Sequence, residues 1–153
     1  MFNVVLVEPE IPPNTGNIIR LCANSGANLH LVKPLGFRLD AGKLRRAGLD
    51  YHAMAQVRVH GDFDACLRAL EGSRLFMVET GGGRRYCDAR FERGDALVFG
   101  SETRGLSTAI RSKFAPASWL TIPMANDTRS LNLANSVALV LYEAWRQLDF
   151  QAL

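Results

Sequence analysis

Strand-like and helix-like runs alternate along almost the whole chain, and that alternation restricts the fold more than any other feature. Residues 2–8 form a nearly continuous β-branched and apolar run, broken by Pro9, Pro12 and Pro13, and residues 15–25 then read as a helix. Residues 28–32 are strand-like again, residues 56–60 are short and β-rich, and Asp62 caps a helix through Leu70. Residues 74–79, 96–99 and 119–122 complete six predicted strands, with residues 107–113 a short helix between the last two. From residue 131 to 148 apolar residues recur at helical spacing. Such alternation implies an α/β fold, a mostly parallel sheet with helices on both faces. No repeat, low-complexity tract or linker divides the chain, so residues 1–153 are expected to form a single domain.

Composition narrows the function classes. The apolar fraction of 48% and charged fraction of 22% are those of a soluble globular protein. A net charge of +3 is compatible with a polyanionic partner without requiring one. Lysine occurs only at Lys33, Lys43 and Lys113, so arginine carries most of the positive charge, and its planar fork suits phosphate. Cys22, Cys66 and Cys87 are dispersed and odd in number, which suggests reduced thiols. His30, His52 and His60 lack ligand spacing, and no metal is expected. The apolar run of residues 4–7 is too short for a signal peptide or a membrane span, so the expected location is cytoplasmic.

Three strand-to-helix loops carry the candidate chemistry: Asn14-Thr15-Gly16-Asn17-Ile18-Ile19-Arg20, then Phe99-Gly100-Ser101-Glu102-Thr103-Arg104-Gly105-Leu106-Ser107, then Ile122-Pro123-Met124 running through Ser130-Leu131-Asn132 to the last helix. A strand that ends beside a helix start presents backbone amides and carbonyls to a small ligand. Gly-x-Glu-x-x-Gly lets backbone approach closely, and the absence of a following Gly-Lys-Ser/Thr separates it from a P-loop. In this order the three loops resemble the three motifs of the SPOUT superfamily of RNA methyltransferases. The resemblance runs from the first strand to the last helix. It implies a C-terminal trefoil knot, which periodicity does not show, and S-adenosylmethionine as cofactor.

The resemblance also assigns roles. Ile122 and Met124 suit an adenine slot, Ser130 and Leu131 suit backbone contacts near the ribose or amino-acid end, Asn132 belongs to the same cofactor-binding loop, and Val78, Glu79 and Thr80 resemble the remaining wall. Gly100 resembles a cofactor-contacting position and Glu102 the acid that organises the pocket. Plain helix capping equally explains Ser130 and Asn132, and Glu102 could simply cap the helix near Ser107. Asn14, Arg20 and Glu102 form the implied catalytic set. Arg20 is the favoured position, placed one to two turns into its helix and facing the domain mouth, although a surface arginine on an amphipathic helix is the plainer reading.

The stretch Leu35-Gly36-Phe37-Arg38-Leu39-Asp40, continuing into Leu44-Arg45-Arg46-Ala47-Gly48-Leu49-Asp50-Tyr51, resembles the small members that methylate the 2′-hydroxyl of the wobble cytidine or uridine in the tRNA anticodon loop. Those members lack an added RNA-binding domain. The same chemistry on another RNA such as rRNA, or a non-catalytic RNA- or nucleotide-binding module, are the alternatives. Arg38, Arg45, Arg46, Arg84 and Arg85 are candidate RNA contacts. Gly81-Gly82-Gly83 before the last two read as a mobile loop, or as an ordinary solvated hairpin. Tyr142 is placed either on the RNA or dimer surface or in the core. The final helix is apolar on more than one face, which suits a homodimer, with a central helix in a monomer as the other reading.

Overall fold

The computed structural model describes residues 1–40, 42, 46, 56–125 and 129–151. Its strands are β1 (Asn3–Val7), β2 (Asn28–Val32), β3 (Val57–His60), β4 (Leu75–Val78), β5 (Arg84–Arg85), β6 (Ala96–Phe99) and β7 (Trp119–Thr121). They form one 7-stranded sheet in the order β3-β2-β1-β6-β4-β7-β5, every pairing parallel. Among the described residues the α-helices are α1 (Pro12–Ser25), α2 (Phe63–Ala69), α3 (Thr108–Arg111) and α4 (Leu133–Arg146). Arg45, most of the segment around it and His52 lie outside the described residues.

Each element follows from local chemistry. β1 is buried at all of its positions, as a central parallel strand covered on both faces must be. Phe2, Val4 and Leu6 point into a core shared with α1 and α4, while Val5 and Val7 face α2 and α3. α1 begins with prolines in its first turn, where their missing N–H groups cost nothing, and ends at Gly26 in the left-handed conformation. Asp62 caps α2 by accepting the Ala65 N–H at 2.7 Å, and Asn132 caps α4 by accepting those of Ala134 and Asn135. The element sequence reading misses is β5, two exposed arginines with no apolar signal.

β4 and β6 are tied together at their N-terminal ends. Arg74 donates from Nε and Nη2 to the two oxygens of buried Asp95 at 2.8 and 2.7 Å, a bidentate pair that the Glu92 N–H completes at 2.7 Å.

Beyond β4 the chain departs from ordinary winding. β7 lies between β4 and β5, and Leu120 is in register with both Val78 and Arg84. Residues 79–83 therefore cross directly over β7, whereas parallel neighbours usually need a dozen or more residues between them. The crossing explains the glycines: a Cβ on Gly82 would meet the Leu120 carbonyl oxygen at 2.9 Å, and one on Gly83 that of Trp119 at 2.7 Å. These residues are a strap pressed on a strand, not the mobile loop or hairpin that their composition suggests.

α4 buries Leu133, Val137, Val140, Leu141 and Ala144. Its outer row, Asn135, Leu139, Tyr142 and Arg146, is exposed, and α1, which packs against α4, exposes Asn17, Arg20 and Asn24. Tyr142 is not a core residue: it is 39% exposed and meets Trp145 edge-on.

Candidate functional site

The C-terminal ends of β4, β6 and β7, with the start of α4, enclose a cavity of about 410 Å³. Every residue assigned to a cofactor pocket from the sequence lines it: Val78, Glu79, Thr80, Gly100, Glu102, Ile122, Met124, Ser130, Leu131 and Asn132. Asn14 lines it as well, and so do Ile11, Phe99, Thr103, Arg104 and Ser136, which the motif reading did not single out. Ligands of open parallel sheets bind at this end, where loops diverge beyond the strands.

A hydrogen-bonded chain holds the walls together. Glu102 accepts the backbone N–H groups of Glu10 at 2.7 Å and Ile11 at 3.0 Å, and the Asn14 side-chain amide at 3.2 Å. The Asn14 carbonyl accepts from the Asn132 amide at 2.9 Å, and the Asn132 carbonyl accepts from the first turn of α4. All donors point the same way, so both amides have one orientation and the bonds reinforce one another. Burial works to raise the Glu102 carboxyl, but these N–H donors outweigh it and hold it below its ordinary value. Glu102 therefore fixes, from a distant loop, the turn that leads into α1; the helix near Ser107 is capped by Ser107 itself, through the Ile110 N–H. With its oxygens engaged by three donors and its carboxyl held ionised, Glu102 is an organiser and a poor proton acceptor.

Glu79 plays a matching part on the other wall. It accepts the Leu106 N–H and an Arg111 guanidinium N–H, fixing the loop after β6 to α3. Gly105 sits in the left-handed region with φ of 65°, and a Cβ there would press on the Glu79 carboxylate at 2.6 Å. Gly100 needs its missing side chain for a related reason: a Cβ would lie 2.1 Å from the Gly105 carbonyl carbon. The space at Gly100 is thus filled by the loop's own backbone, not reserved for a ligand as the motif suggests.

Arg20 is not brought to this cavity. It is exposed on α1, and six residues past Asn14 put it about 9 Å further along the helix axis. Arg38, Arg46, Arg84 and Arg85 are exposed; Arg85 pairs with Asp88 at 2.7 Å.

At the far edge of the sheet, His30, His60 and Cys66 present ligand-type atoms within 4.8 Å of one another, a grouping that their spacing conceals. The two rings are nearly coplanar and joined by a hydrogen bond of 2.9 Å. That is shorter than the roughly 3.3 Å between two nitrogens on one tetrahedral zinc. Burial, then His60 and Arg58, push His30 down to about 4, so its ring is neutral at pH 7, and its buried Nε2 has no hydrogen-bond partner among the described residues.

An all-parallel sheet whose β6 loop, β7 loop and α1 start converge on one strand-end cavity is the α/β architecture that binds a small ligand beyond the carboxyl ends of its strands. Residues 1–142 match the model of the SpoU rRNA Methylase family. The chain belongs to that family. It is 60% identical over 153 residues to a tRNA (cytidine(34)-2′-O)-methyltransferase of Burkholderia pseudomallei (strain 1106a), covering 99% of this chain and 98% of the relative. It is 51% identical over 150 residues to the protein of the same name from Escherichia coli (strain K12), covering 98% and 96%. A solved structure concerned with 2-OH methylation of C/U34 on tRNA superimposes with a TM-score of 0.88 at 47% identity, covering 97% of each chain. The SpoU methyltransferase AviRb of Streptomyces viridochromogenes, solved with AdoMet, matches with a TM-score of 0.82 at 27% identity, over 96% of this chain and 57% of AviRb.

Proposed function

We propose that this protein transfers the methyl group of S-adenosylmethionine to the ribose 2′-hydroxyl of the wobble cytidine or uridine of tRNA. The observation that carries the reading is near-full-length similarity, at 51% identity and above, to proteins bearing that activity's name. The cavity fits the cofactor in kind: Val78, Ile122 and Leu133 offer apolar walls for a flat base, and strand-end backbone lies beside them. Labelled S-adenosylmethionine offered with tRNA and, separately, with rRNA tests the substrate class. Label is expected in tRNA; label confined to rRNA would move the protein to the ribosomal branch.

The cofactor supplies an electrophilic methyl group on a sulfonium leaving group. The protein's task is alignment, which is worth up to ~7–11 kcal/mol, and help for a hydroxyl losing its proton. Residues 78–80, 100–102, 122–124 and 130–132 hold the cofactor. Asn14 and Glu102 hold these walls in register and keep the first motif against the cavity. Arg20 stabilises the developing alkoxide; a guanidinium stays protonated at neutral pH and so acts by charge, not as a base.

Arg20 can play that part only if its own position is supplied to another cavity, and this supports a homodimer with shared sites. The outer rows of α1 and α4 include Arg20, Leu139 and Tyr142, the last two exposed at 43% and 39%. Placing this surface against a second copy would bury Leu139 and bring Arg20 towards the partner's cavity mouth. Sedimentation equilibrium tests the assembly. Mixing Arg20→Ala subunits with cofactor-pocket mutants tests sharing, and recovered activity is the expected result. In the same reading Arg38, Arg45, Arg46, Arg84, Arg85 and Tyr142 contact RNA, so binding weakens steeply with salt. The C-terminal trefoil knot belongs here too, supported by the strap of residues 79–83 across β7. Among the described residues no helix is long and apolar enough to cross a membrane, which agrees with a cytoplasmic site of action.

A further inference from the structure

The loop after β6 presents three successive side chains to the loop after β1, and only two of them are used up there. Glu102 is saturated by N–H donors, and the Thr103 hydroxyl sits 2.9 and 2.8 Å from the two oxygens of Glu10. Arg104 behaves differently. Its Nη2 lies 3.4 Å from Glu8 and its Nε 3.6 Å from Glu10, while its side chain remains 69% exposed. Its backbone is fixed: the N–H donates to Ser101 Oγ at 3.3 Å, and Ser101 and Gly105 exchange backbone hydrogen bonds on either side. The arginine is thus an exposed head on a fixed stem. Among the described residues lining the cavity it is the sole cation.

We propose that Arg104 is a phosphodiester-binding residue at the cavity mouth, taking the backbone phosphate next to the ribose that accepts the methyl group. The inference rests on the reading that an RNA 2′-hydroxyl is brought to this cavity. A 2′-hydroxyl and the 3′-phosphodiester occupy adjacent ribose carbons. Any pose that delivers the hydroxyl to the cavity therefore delivers a phosphate to its rim, where Arg104 stands. Its present partners are easily exchanged, because exposed, long ion pairs contribute little, whereas a phosphate can take two N–H groups of the guanidinium fork at once. Glu8 has φ of 52°, the left-handed region that a non-glycine residue rarely adopts, and it is this residue that reaches Arg104. Glu8 parks the guanidinium over the mouth until an RNA phosphate displaces it.

The test uses the full-length protein with tRNA, measuring binding and methyl transfer from about 50 to 200 mM salt. Arg104→Ala is expected to reduce kcat/KM about 10- to 100-fold, mostly through KM for tRNA, and to flatten the log–log salt dependence of binding by about 0.7 to 0.9. Affinity for S-adenosylhomocysteine and thermal stability should stay at their wild-type values. Arg104→Lys should keep the salt slope but recover only part of the rate, and Glu8→Gln should bind tRNA as tightly as wild type or more tightly. Loss of S-adenosylhomocysteine affinity with an unchanged slope would assign Arg104 to the cofactor carboxylate and overturn the proposal. A fall in stability with an unchanged slope would make the residue structural and overturn it equally, as would weaker binding by Glu8→Gln. If wild type methylates another RNA instead of tRNA, the functional reading fails while the slope comparison on that RNA still decides the role of Arg104.

Discussion

At the N-terminal ends of β4 and β6, Arg74 grips Asp95 in a two-bonded pair, and the connection there is closed. At the C-terminal ends of the same strands the ties are made by Glu79 and Glu102, whose partners lie on other elements: α3 for one, the start of α1 for the other. The first arrangement joins the two strand ends directly, through one buried carboxylate. The second ties each loop to a neighbouring element, and the strand-end backbone between them faces a cavity. Charged side chains serve stability at both ends. Only at the C-terminal end does their placement create a site.

The C-terminal end is most sensitive at Gly100. A methyl group added there has no space beside the Gly105 backbone, so Gly100→Ala should shift the whole loop. Cofactor affinity should fall at least ~100-fold by isothermal titration, with a loss of stability of about 1–3 kcal/mol from overpacking. Wild-type affinity would show that the loop is not part of the pocket.

Arg20→Ala should reduce methyl transfer by about 10²–10³ while leaving cofactor affinity unchanged, because the residue stands outside the cavity of its own chain. Single-turnover kinetics beside titration check both halves of that statement.

Glu102→Gln is nearly isosteric, yet it sets an amide N–H₂ against donors that need acceptors. A stability loss of about 1–3 kcal/mol is expected, together with weaker cofactor binding. Arg74→Ala provides the contrast: Asp95 loses its partner and the melting temperature falls, but kcat/KM for folded protein should hold. Loss of activity from Arg74→Ala without unfolding would erase the distinction between the two ends.

A separate effect concerns acid. The folded value of His30, about 4, lies below the usual 6.5, so between those values the unfolded chain binds more protons than the native one. Stability is therefore present above pH 6.5 and is lost as pH falls towards 4. Glu102, also held below its ordinary value, adds a loss at lower pH as its carboxylate protonates. Thermal melts of His30→Gln should lose the upper part of this slope, while those of Glu102→Gln should keep it.

Much of this architecture is legible from residue pattern. The boundaries of β2 and β6, the Asp62 cap and the helical period of α4 come from local chemistry that short segments carry by themselves. β5 and the strap before it are not legible, because Arg84 and Arg85 join the sheet only through β7, some 35 residues later. Gly82, Gly83 and Gly100 suggest mobility or ligand space in sequence, and only the structure shows backbone from elsewhere pressed against them. The cavity walls were readable because the motif resemblance marks their positions. What it could not give is how each side chain is engaged: Glu79 and Glu102 spend their carboxylates holding loops, Arg20 stands off the cavity, and Arg104 stands at its rim.

Where the methyl group lands decides the activity. The protein should be incubated with labelled S-adenosylmethionine and tRNA lacking wobble-ribose methylation, and the RNA then digested and mapped by mass spectrometry. The expected product carries one new 2′-O-methyl group on the cytidine or uridine at the first anticodon position. A methyl group on a base, on another nucleotide of the tRNA, or on no RNA at all would contradict it.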